Sequence, residues 1–281
     1  MNGLKDAINS IAANADKAAG QKKTHIVNGI KICDVCGEPV QAIVQMFGEE
    51  RIVSCTCQCD KEAEIRERAE AERAARRRQI ELLKADGFRG AEFYTWTFEH
   101  DDGKDPDIIR AAKKYAEKFD FWRTRKRERG LLFSGGVGTG KTFAAACIAN
   151  YLMDRGKAVL MTNFAQIVNR LQDNFEGRQK YIDGLNNYDL LIIDDLATER
   201  DTEFVNEAIF AVIDGRYRAG LPLVITTNIP LNEIYHAKEL RKKRIYSRIC
   251  EMCYPLEAKG NDRRREIAEQ SYEEARRLLE V

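Results

Sequence analysis

An α/β fold, in which helices flank a parallel sheet, is predicted by three features of the sequence. Short apolar runs alternate with helical segments between residues 131 and 227, which is the pattern of β–α units. The first run continues into a glycine-rich loop at residues 135–142 that opens a helix. A later run of branched residues ends in two carboxylates, Asp194 and Asp195. Together these features predict the fold of a P-loop NTPase.

Three segments are predicted ahead of the main domain. Residues 1–30 form a polar N-terminal segment, and residues 31–60 form a cysteine-rich module in which residues 40–53 alternate as a β-hairpin does. Residues 61–87 are almost entirely Glu, Arg, Lys and Ala, which predicts a solvated helical linker. Residues 88–281 remain for the ATPase domain.

The main domain is predicted to begin with a helix and then to alternate strands with helices. The strand at residues 189–194 consists almost entirely of branched residues, as expected of a strand that is buried on both faces. The remaining elements are strands at 131–134, 158–162 and 223–227, and helices at 106–125, at 142–154, from 164 onward and at 202–218.

The overall composition limits the classes of protein to which this chain can belong. Hydrophobic residues make up 44% of the 281 residues, which is enough for a core, and the net charge is only +1. Contacts with nucleic acid must therefore come from local basic runs such as residues 123–129 and 241–244. No apolar run approaches the roughly 18 residues that span a bilayer, and the first residues lack a secretory h-region. We expect a cytoplasmic protein without a membrane segment.

The glycine-rich loop is the strongest candidate for a binding site. Its glycines let backbone N–H groups converge on a phosphate at the positive end of the following helix. We expect Lys141 to bridge the β- and γ-phosphates of ATP and the Thr142 hydroxyl to hold Mg²⁺. A glycine-rich turn can match this pattern by accident, but the strand before it and the helix after it favour a nucleotide site. The predicted cradle is Gly135, Gly136, Val137, Gly138, Thr139, Gly140, Lys141 and Thr142.

Polar residues at the ends of two other predicted strands complete the expected site. Asp194 is predicted to position Mg²⁺ through water, and Asp195 to orient or deprotonate the attacking water. Asn228 follows the strand at 223–227 and is predicted to sense the γ-phosphate or that water. The alternatives are an ordinary strand end for the two carboxylates and a turn-forming residue before Ile229 and Pro230 for Asn228. The sequence contains no NKxD element, so nothing in it indicates that the base is guanine.

Five of the eight cysteines lie close together and suggest a metal site rather than disulfides. Cys33 and Cys36 form a CxxCG turn that directs two thiolates at one Zn²⁺. A second pair must come from the later triplet, and we take Cys57 and Cys59, with Cys55 as the alternative. Reduced thiols without metal are the competing interpretation. The scattered cysteines Cys147, Cys250 and Cys253 are expected in the core.

From about residue 88 onward the chain resembles the DnaC/DnaI-type helicase loaders, which are AAA+ ATPases related to the IstB-type transposition ATPases. The resemblance rests on four runs: GGVGTGKT, YDLLIIDDL, TTNIP and RIYSRI. It implies an AAA+-like domain with a truncated helical lid. It also implies ATP hydrolysis at a subunit interface, with Arg248 as an arginine finger acting in trans within a homo-oligomer. A basic helix face is the alternative for Arg248. The second sensor arginine falls among Arg263, Arg264 and Arg265, and we prefer Arg264.

The resemblance implies an ATP-dependent loader for a replicative DNA helicase. The zinc module would dock the hexameric helicase, and the ATPase domain would assist its deposition on single-stranded DNA during replication initiation. An IstB-type transposition helper ATPase is one alternative, although the zinc module argues against it. A zinc-containing adaptor that uses ATP binding only as a switch is another, although the carboxylate pair and Arg248 favour hydrolysis.

Overall fold

The computed structural model describes residues 23–89, 92–173, 177–196 and 202–279. Most of the predicted polar segment, residues 1–22, lies outside this description. The described residues divide into two units, one ending at Arg77 and the other beginning at Arg78. Helix α1, Gln58–Phe88, begins in the first unit and ends in the second.

The first unit consists of two short hairpins followed by the start of α1. Strands β1 (Thr24–Val27) and β2 (Ile30–Cys33) pair antiparallel, as do β3 (Gln41–Met46) and β4 (Glu49–Ser54). The hairpin predicted within residues 40–53 is therefore present. The first hairpin begins inside the stretch predicted as a polar segment. It was not predicted, because four-residue strands are too short to produce a clear alternation in the sequence.

The second unit is built on a five-stranded sheet in which every neighbouring pair is parallel. Its order is β6–β7–β8–β5–β9. Apolar residues of one strand alternate between two cores: Leu191 and Ile193 of β7 belong to one cluster, whereas Leu190 and Ile192 belong to the other. The predicted α/β fold is thus confirmed. The strands are β5 (Gly130–Gly135), β6 (Val159–Asn163), β7 (Leu190–Leu196), β8 (Leu223–Thr227) and β9 (Cys253–Ala258).

Nine helices of the second unit follow α1 within the described residues. None of the described helices, α1 included, is long and apolar enough to cross a bilayer. They are α2 (Pro106–Glu117), α3 (Phe119–Arg123), α4 (Lys141–Met153), α5 (Phe164–Asp173), α6 (Arg178–Leu185), α7 (Glu203–Ala219), α8 (Leu231–Tyr235), α9 (Leu240–Met252) and α10 (Arg263–Leu279). Two 3₁₀ turns, Glu92–Thr95 and Phe98–His100, precede α2.

The fold differs from the prediction in several elements, since helices α6, α8 and α10 were not predicted. The single helix expected at residues 106–125 is two helices, because the backbone leaves helical geometry at Lys118 (φ −108°, ψ 26°). Strand β9 was not predicted, since Pro255 and Glu257 interrupt its apolar pattern. Proline is tolerated there because β9 is an edge strand, with its single neighbour β5.

Candidate nucleotide site and thiol cluster

The glycine-rich loop joins the end of β5 to the start of α4 and requires glycine at specific points. Gly138 has a φ of 74°, and a Cβ there would lie 1.8 Å from a carboxylate oxygen of Asp262. A Cβ on Gly135, whose φ is 154°, would lie 2.4 Å from the carbonyl oxygen of Ala258. At both positions a side chain would therefore collide with the segment that runs from β9 into α10.

Lys141 is the buried cation at the centre of this loop. The residue is 5% exposed, and its Nζ donates to the carbonyl oxygens of Gly135 (2.9 Å) and Gly136 (2.6 Å). Nζ also donates to Oδ1 of Asn228 at 3.0 Å, which joins the P-loop to the end of β8. Burial lowers the pKa of Lys141, and the charges of Asp195 and Asp194 oppose that shift. Four residues predicted from three separate motifs thus interact with one another at this site.

The two carboxylates of β7 have different surroundings. Asp195 has a φ of 55° and lines the same cleft as Lys141 and Asn228. Asp194 does not line that cleft, and its Oδ1 accepts a hydrogen bond of 2.6 Å from the hydroxyl of Thr226. Burial raises the pKa of Asp194, while the Thr226 and Thr142 hydroxyls and the charge of Lys141 oppose that shift. The carboxylate and Thr142 are therefore close enough to share a divalent cation.

The cleft has a volume of about 330 Å³, which suits a small ligand. Most of the predicted cradle lines it, together with Asp195, Asn228 and Arg264, whereas Gly135 and Gly136 lie outside its lining. Arg263, one of the three candidates for the second sensor, also lines it, and four further residues of the lining were not predicted. These are Trp96, His100, Asp102 and Phe143.

Two of the unpredicted residues, Trp96 and Phe143, form an aromatic wall beside the P-loop helix. The ring centroids of Trp96 and Phe143 lie 5.8 Å apart. Asn150 of α4 is 1% exposed, and its Nδ2 donates to the carbonyl oxygens of Phe93 (2.7 Å) and Trp96 (3.0 Å). An aromatic cluster at residues 93–98 is visible in the sequence, but only these tertiary hydrogen bonds place it at the cleft.

The three arginines considered for the second sensor have three different environments. Arg263 lines the cleft, but its guanidinium pairs with Asp102 at 2.8 Å. Arg265 pairs with Glu269 at 2.9 Å on an exposed surface. Arg264 lines the cleft, and its charge contributes to the lowered pKa of Lys141. Its side chain forms no ion pair with any described residue, so it has a guanidinium available for a bound phosphate.

Arg248 does not line the cleft of its own chain. Its Nε donates to Oδ1 of Asp214 at 2.7 Å, and its guanidinium lies 4.7 Å from the ring centroid of Phe210. Asp214 is 4% exposed and also pairs with Arg218. Among the described residues the terminal amino groups of Arg248 make no hydrogen bond, and its side chain is 29% exposed.

Most arginines of the two basic runs are paired with carboxylates. Arg123 contacts Asp189 at 2.8 Å, and Arg125 contacts Glu128 at 2.9 Å. Arg241 of the second run pairs with Glu203 at 2.6 Å. These pairs neutralise much of the positive charge that the sequence concentrates there.

The first unit gathers four cysteines around one point. The Sγ atoms of Cys33, Cys36, Cys57 and Cys59 all lie within 4.8 Å of one another. The Cys55 thiol instead donates to the carbonyl oxygen of Pro39 at 3.2 Å. Four thiolates at this spacing suit tetrahedral Zn²⁺. Of the scattered cysteines, Cys147 and Cys253 are buried in the core and Cys250 is half-buried.

The thiols of this cluster titrate unequally. Hydrogen bonds from the backbone at Glu38 and Cys59 lower the pKa of Cys36 to about 6. The hydrogen bond and charge of Cys36, together with burial, raise the pKa of Cys59 to about 12. The cluster therefore favours one thiolate and retains a proton on a neighbour, and a divalent cation would displace that proton.

A parallel sheet of this order, with a P-loop after β5 and carboxylates at the end of β7, defines an AAA+-like P-loop NTPase. The chain belongs to the family of IstB-like ATP binding proteins, whose model matches residues 58–271. Membership supports ATP binding and agrees with the cleft described above.

Several relatives are replication proteins. The replicative helicase loader DnaC of Escherichia coli K12 is 32% identical over 132 residues, covering 46% of this chain and 52% of that protein. The replicative helicase loader DnaI of Bacillus subtilis 168 is 24% identical over 180 residues, covering 60% of this chain and 58% of that protein. The chain thus spans little more than half the length of these curated relatives. The predicted resemblance to the DnaC/DnaI group is confirmed.

Solved structures support the same fold. A crystal structure of DnaI superimposes with a TM-score of 0.52 at 24% identity, covering 61% of this chain and 92% of that chain. A crystal structure of the DnaC helicase loader gives a TM-score of 0.50 at 22% identity, covering 60% of this chain and 100% of that chain.

Proposed function

We propose that the protein is an ATP-dependent loader that assists the deposition of a replicative DNA helicase on single-stranded DNA. The proposal rests above all on the cleft that brings Lys141, Asp195 and Asn228 together in a chain whose relatives are named helicase loaders. The alternative of a transposition helper has no observation that favours it over a loader. A loader of this kind would act in the cytoplasm.

The cleft supports hydrolysis of ATP by its own residues. Lys141 and the loop amides would bind the β- and γ-phosphates, with Arg264 beside them. Thr142 and Asp194 would hold Mg²⁺, which when bound neutralises charge on those phosphates. Asp195 would accept a proton from the attacking water or orient it, and Asn228 would hold the water or a γ-oxygen. Trp96 and Phe143 offer flat apolar surfaces for the base.

The interaction with a helicase is tested by reconstitution with purified components. The protein, a hexameric replicative helicase and circular single-stranded DNA are mixed with ATP, and DNA-bound helicase is measured by gel filtration. We expect the protein to co-elute with the helicase and to raise the amount of helicase on DNA. A protein that neither binds the hexamer nor alters its retention on DNA would contradict the loader assignment, whatever its ATPase activity.

Zinc binding by the thiol cluster gives a separate prediction. Protein purified without chelator is expected to contain about one zinc per chain, because four thiolates complete a structural site. Cys57→Ser should lose the metal, since Cys57 is 0% exposed and belongs to the cluster. Cys55→Ser is the matched control and should retain it. Well under one zinc per wild-type chain in elemental analysis would rule out the site. If Cys55→Ser loses the metal and Cys57→Ser retains it, Cys55 would be a ligand in place of Cys57.

A further inference from the structure

The two carboxylates at the end of β7 lie on an irregularity of the sheet. Strands β7 and β8 pair in regular register up to Ile193 opposite Ile225, after which Leu196 lies opposite Thr227. Two residues of β7, Asp194 and Asp195, therefore face the single residue Thr226 of β8. This is the pattern of a β-bulge, which bends a strand and redirects its side chains.

The hydroxyl of Thr226 contacts both residues of the bulge. Its Oγ1 donates to Oδ1 of Asp194 at 2.6 Å and accepts a hydrogen bond from the backbone N–H of Asp195 at 2.9 Å. Thr226 is 0% exposed, so no water can replace these bonds without entering the sheet. A β-branched side chain also has few rotamers, which keeps the hydroxyl directed at the bulge.

The bulge imposes an uncommon backbone conformation on a functional residue. Asp195 has a φ of 55°, in the left-handed region that non-glycine residues rarely adopt. Such a conformation persists where the surroundings over-determine it. The bond from the Asp195 N–H to the Thr226 hydroxyl takes the place of a regular ladder bond at this point. It holds the turn that sends Asp195 into the cleft while Asp194 remains behind it.

We infer that Thr226 is a positioning residue of the proposed ATPase, whose hydroxyl fixes the bulge that separates the roles of Asp194 and Asp195. The inference rests on the proposed hydrolysis of ATP. Thr226 does not line the cleft, so it acts only through the two carboxylates. A threonine that merely filled the core would be replaceable by valine, which has nearly the same shape.

The test is a set of substitutions that separates the hydroxyl from its volume. Thr226→Val removes the hydroxyl and keeps the shape, and we expect kcat to fall on the order of 10²-fold, the scale of an ångström-sized misplacement. The affinity for ATP without Mg²⁺ should stay within about twofold, because the P-loop contacts are unchanged. The gain in affinity that Mg²⁺ provides should shrink, since Asp194 loses its orientation. Thr226→Ser should restore turnover to within a few-fold of wild type.

Two controls keep the inference open to contradiction. Thr162→Val makes the same change at a residue of β6 that is 5% exposed, where the hydroxyl bonds to Gln166 at 2.9 Å, and should leave kcat unchanged. If Thr226→Val does not fold, Thr226→Ser and Thr226→Ala make the same comparison, because both lack the methyl group and only the second lacks the hydroxyl.

The possible outcomes separate this inference from the proposed function. Wild-type turnover in Thr226→Val, or equal losses in the Ser and Ala variants, would overturn the positioning role. A wild-type protein that does not hydrolyse ATP would instead overturn the proposed ATPase on which the inference rests.

Discussion

Replacing Lys141 by alanine is expected to abolish ATP binding at ordinary nucleotide concentrations. The buried ammonium would be the main positive charge facing the phosphates, and a charge pair at about 4 Å is worth about 4 kcal/mol at an effective dielectric constant of 20. The affinity should thus fall on the order of 10³-fold. Titration calorimetry measures the change. Lys157→Ala is the control. This lysine pairs with Asp120 at a distance of 2.7 Å and does not line the cleft.

The same site predicts a variant that binds but does not turn over. Asp195→Asn keeps the size of the side chain and removes its basicity, so ATP binding should persist while hydrolysis falls by about 10²–10⁴-fold. Asp120→Asn, at an exposed carboxylate, is the control and should hydrolyse normally. Wild-type turnover by Asp195→Asn would show that the adjacent carboxylate or a bound water serves as the base.

Sequence alone was sufficient for the centre of the sheet because the local signals there are strong. The strands that carry the P-loop and the carboxylates are unbroken apolar runs, and the carboxyl ends of parallel strands meet at one edge. This is why Lys141 and Asn228 could be predicted to lie together and are found 3.0 Å apart. Strand β9 escaped prediction because Pro255 and Glu257 remove the pattern on which strand prediction depends.

The wall of the cleft depends on tertiary contacts that no local pattern encodes. Trp96 is held at the cleft by a side-chain amide on α4, Asn150, which lies far along the chain. Arg263 differs from Arg264 in its pairing with Asp102. The choice among Cys55, Cys57 and Cys59 likewise required the path of the chain from β4 into α1. Spacing in the sequence left these alternatives open, because it does not show in which direction each of several neighbouring side chains of one type points.

Arg248→Ala is expected to bind ATP normally and to hydrolyse it poorly. If the guanidinium reaches a neighbour's γ-phosphate, it meets charge that develops only in the transition state, and turnover should fall by about 10³–10⁵-fold. Its Nε bond to Asp214 orients the side chain and leaves the terminal amino groups for such a contact. Steady-state hydrolysis and nucleotide binding, measured on the same preparation, separate the two effects.

The pair with Asp214 requires a control for stability. Arg248→Ala removes one partner of a carboxylate that is 4% exposed, and this alone should lower the melting temperature. Arg218→Ala removes the other partner of the same carboxylate. It should also lower the melting temperature, and because the Arg218 side chain is 77% exposed and outside the cleft lining, hydrolysis should be preserved. A loss of turnover limited to Arg248→Ala would therefore not be a consequence of destabilisation.

Mixing two inactive variants tests whether Arg248 acts in trans. Arg248→Ala supplies an intact ATP pocket, and Lys141→Ala supplies an intact Arg248. Where the two become neighbours, one complete site forms from two chains, so the mixture should regain hydrolysis that neither variant has alone. Mixing Arg248→Ala with Arg248→Ala/Lys141→Ala provides no intact arginine and should stay inactive. If both single variants fold and associate but the mixture remains inactive, the arginine serves only its own chain, as the bond to Asp214 already allows.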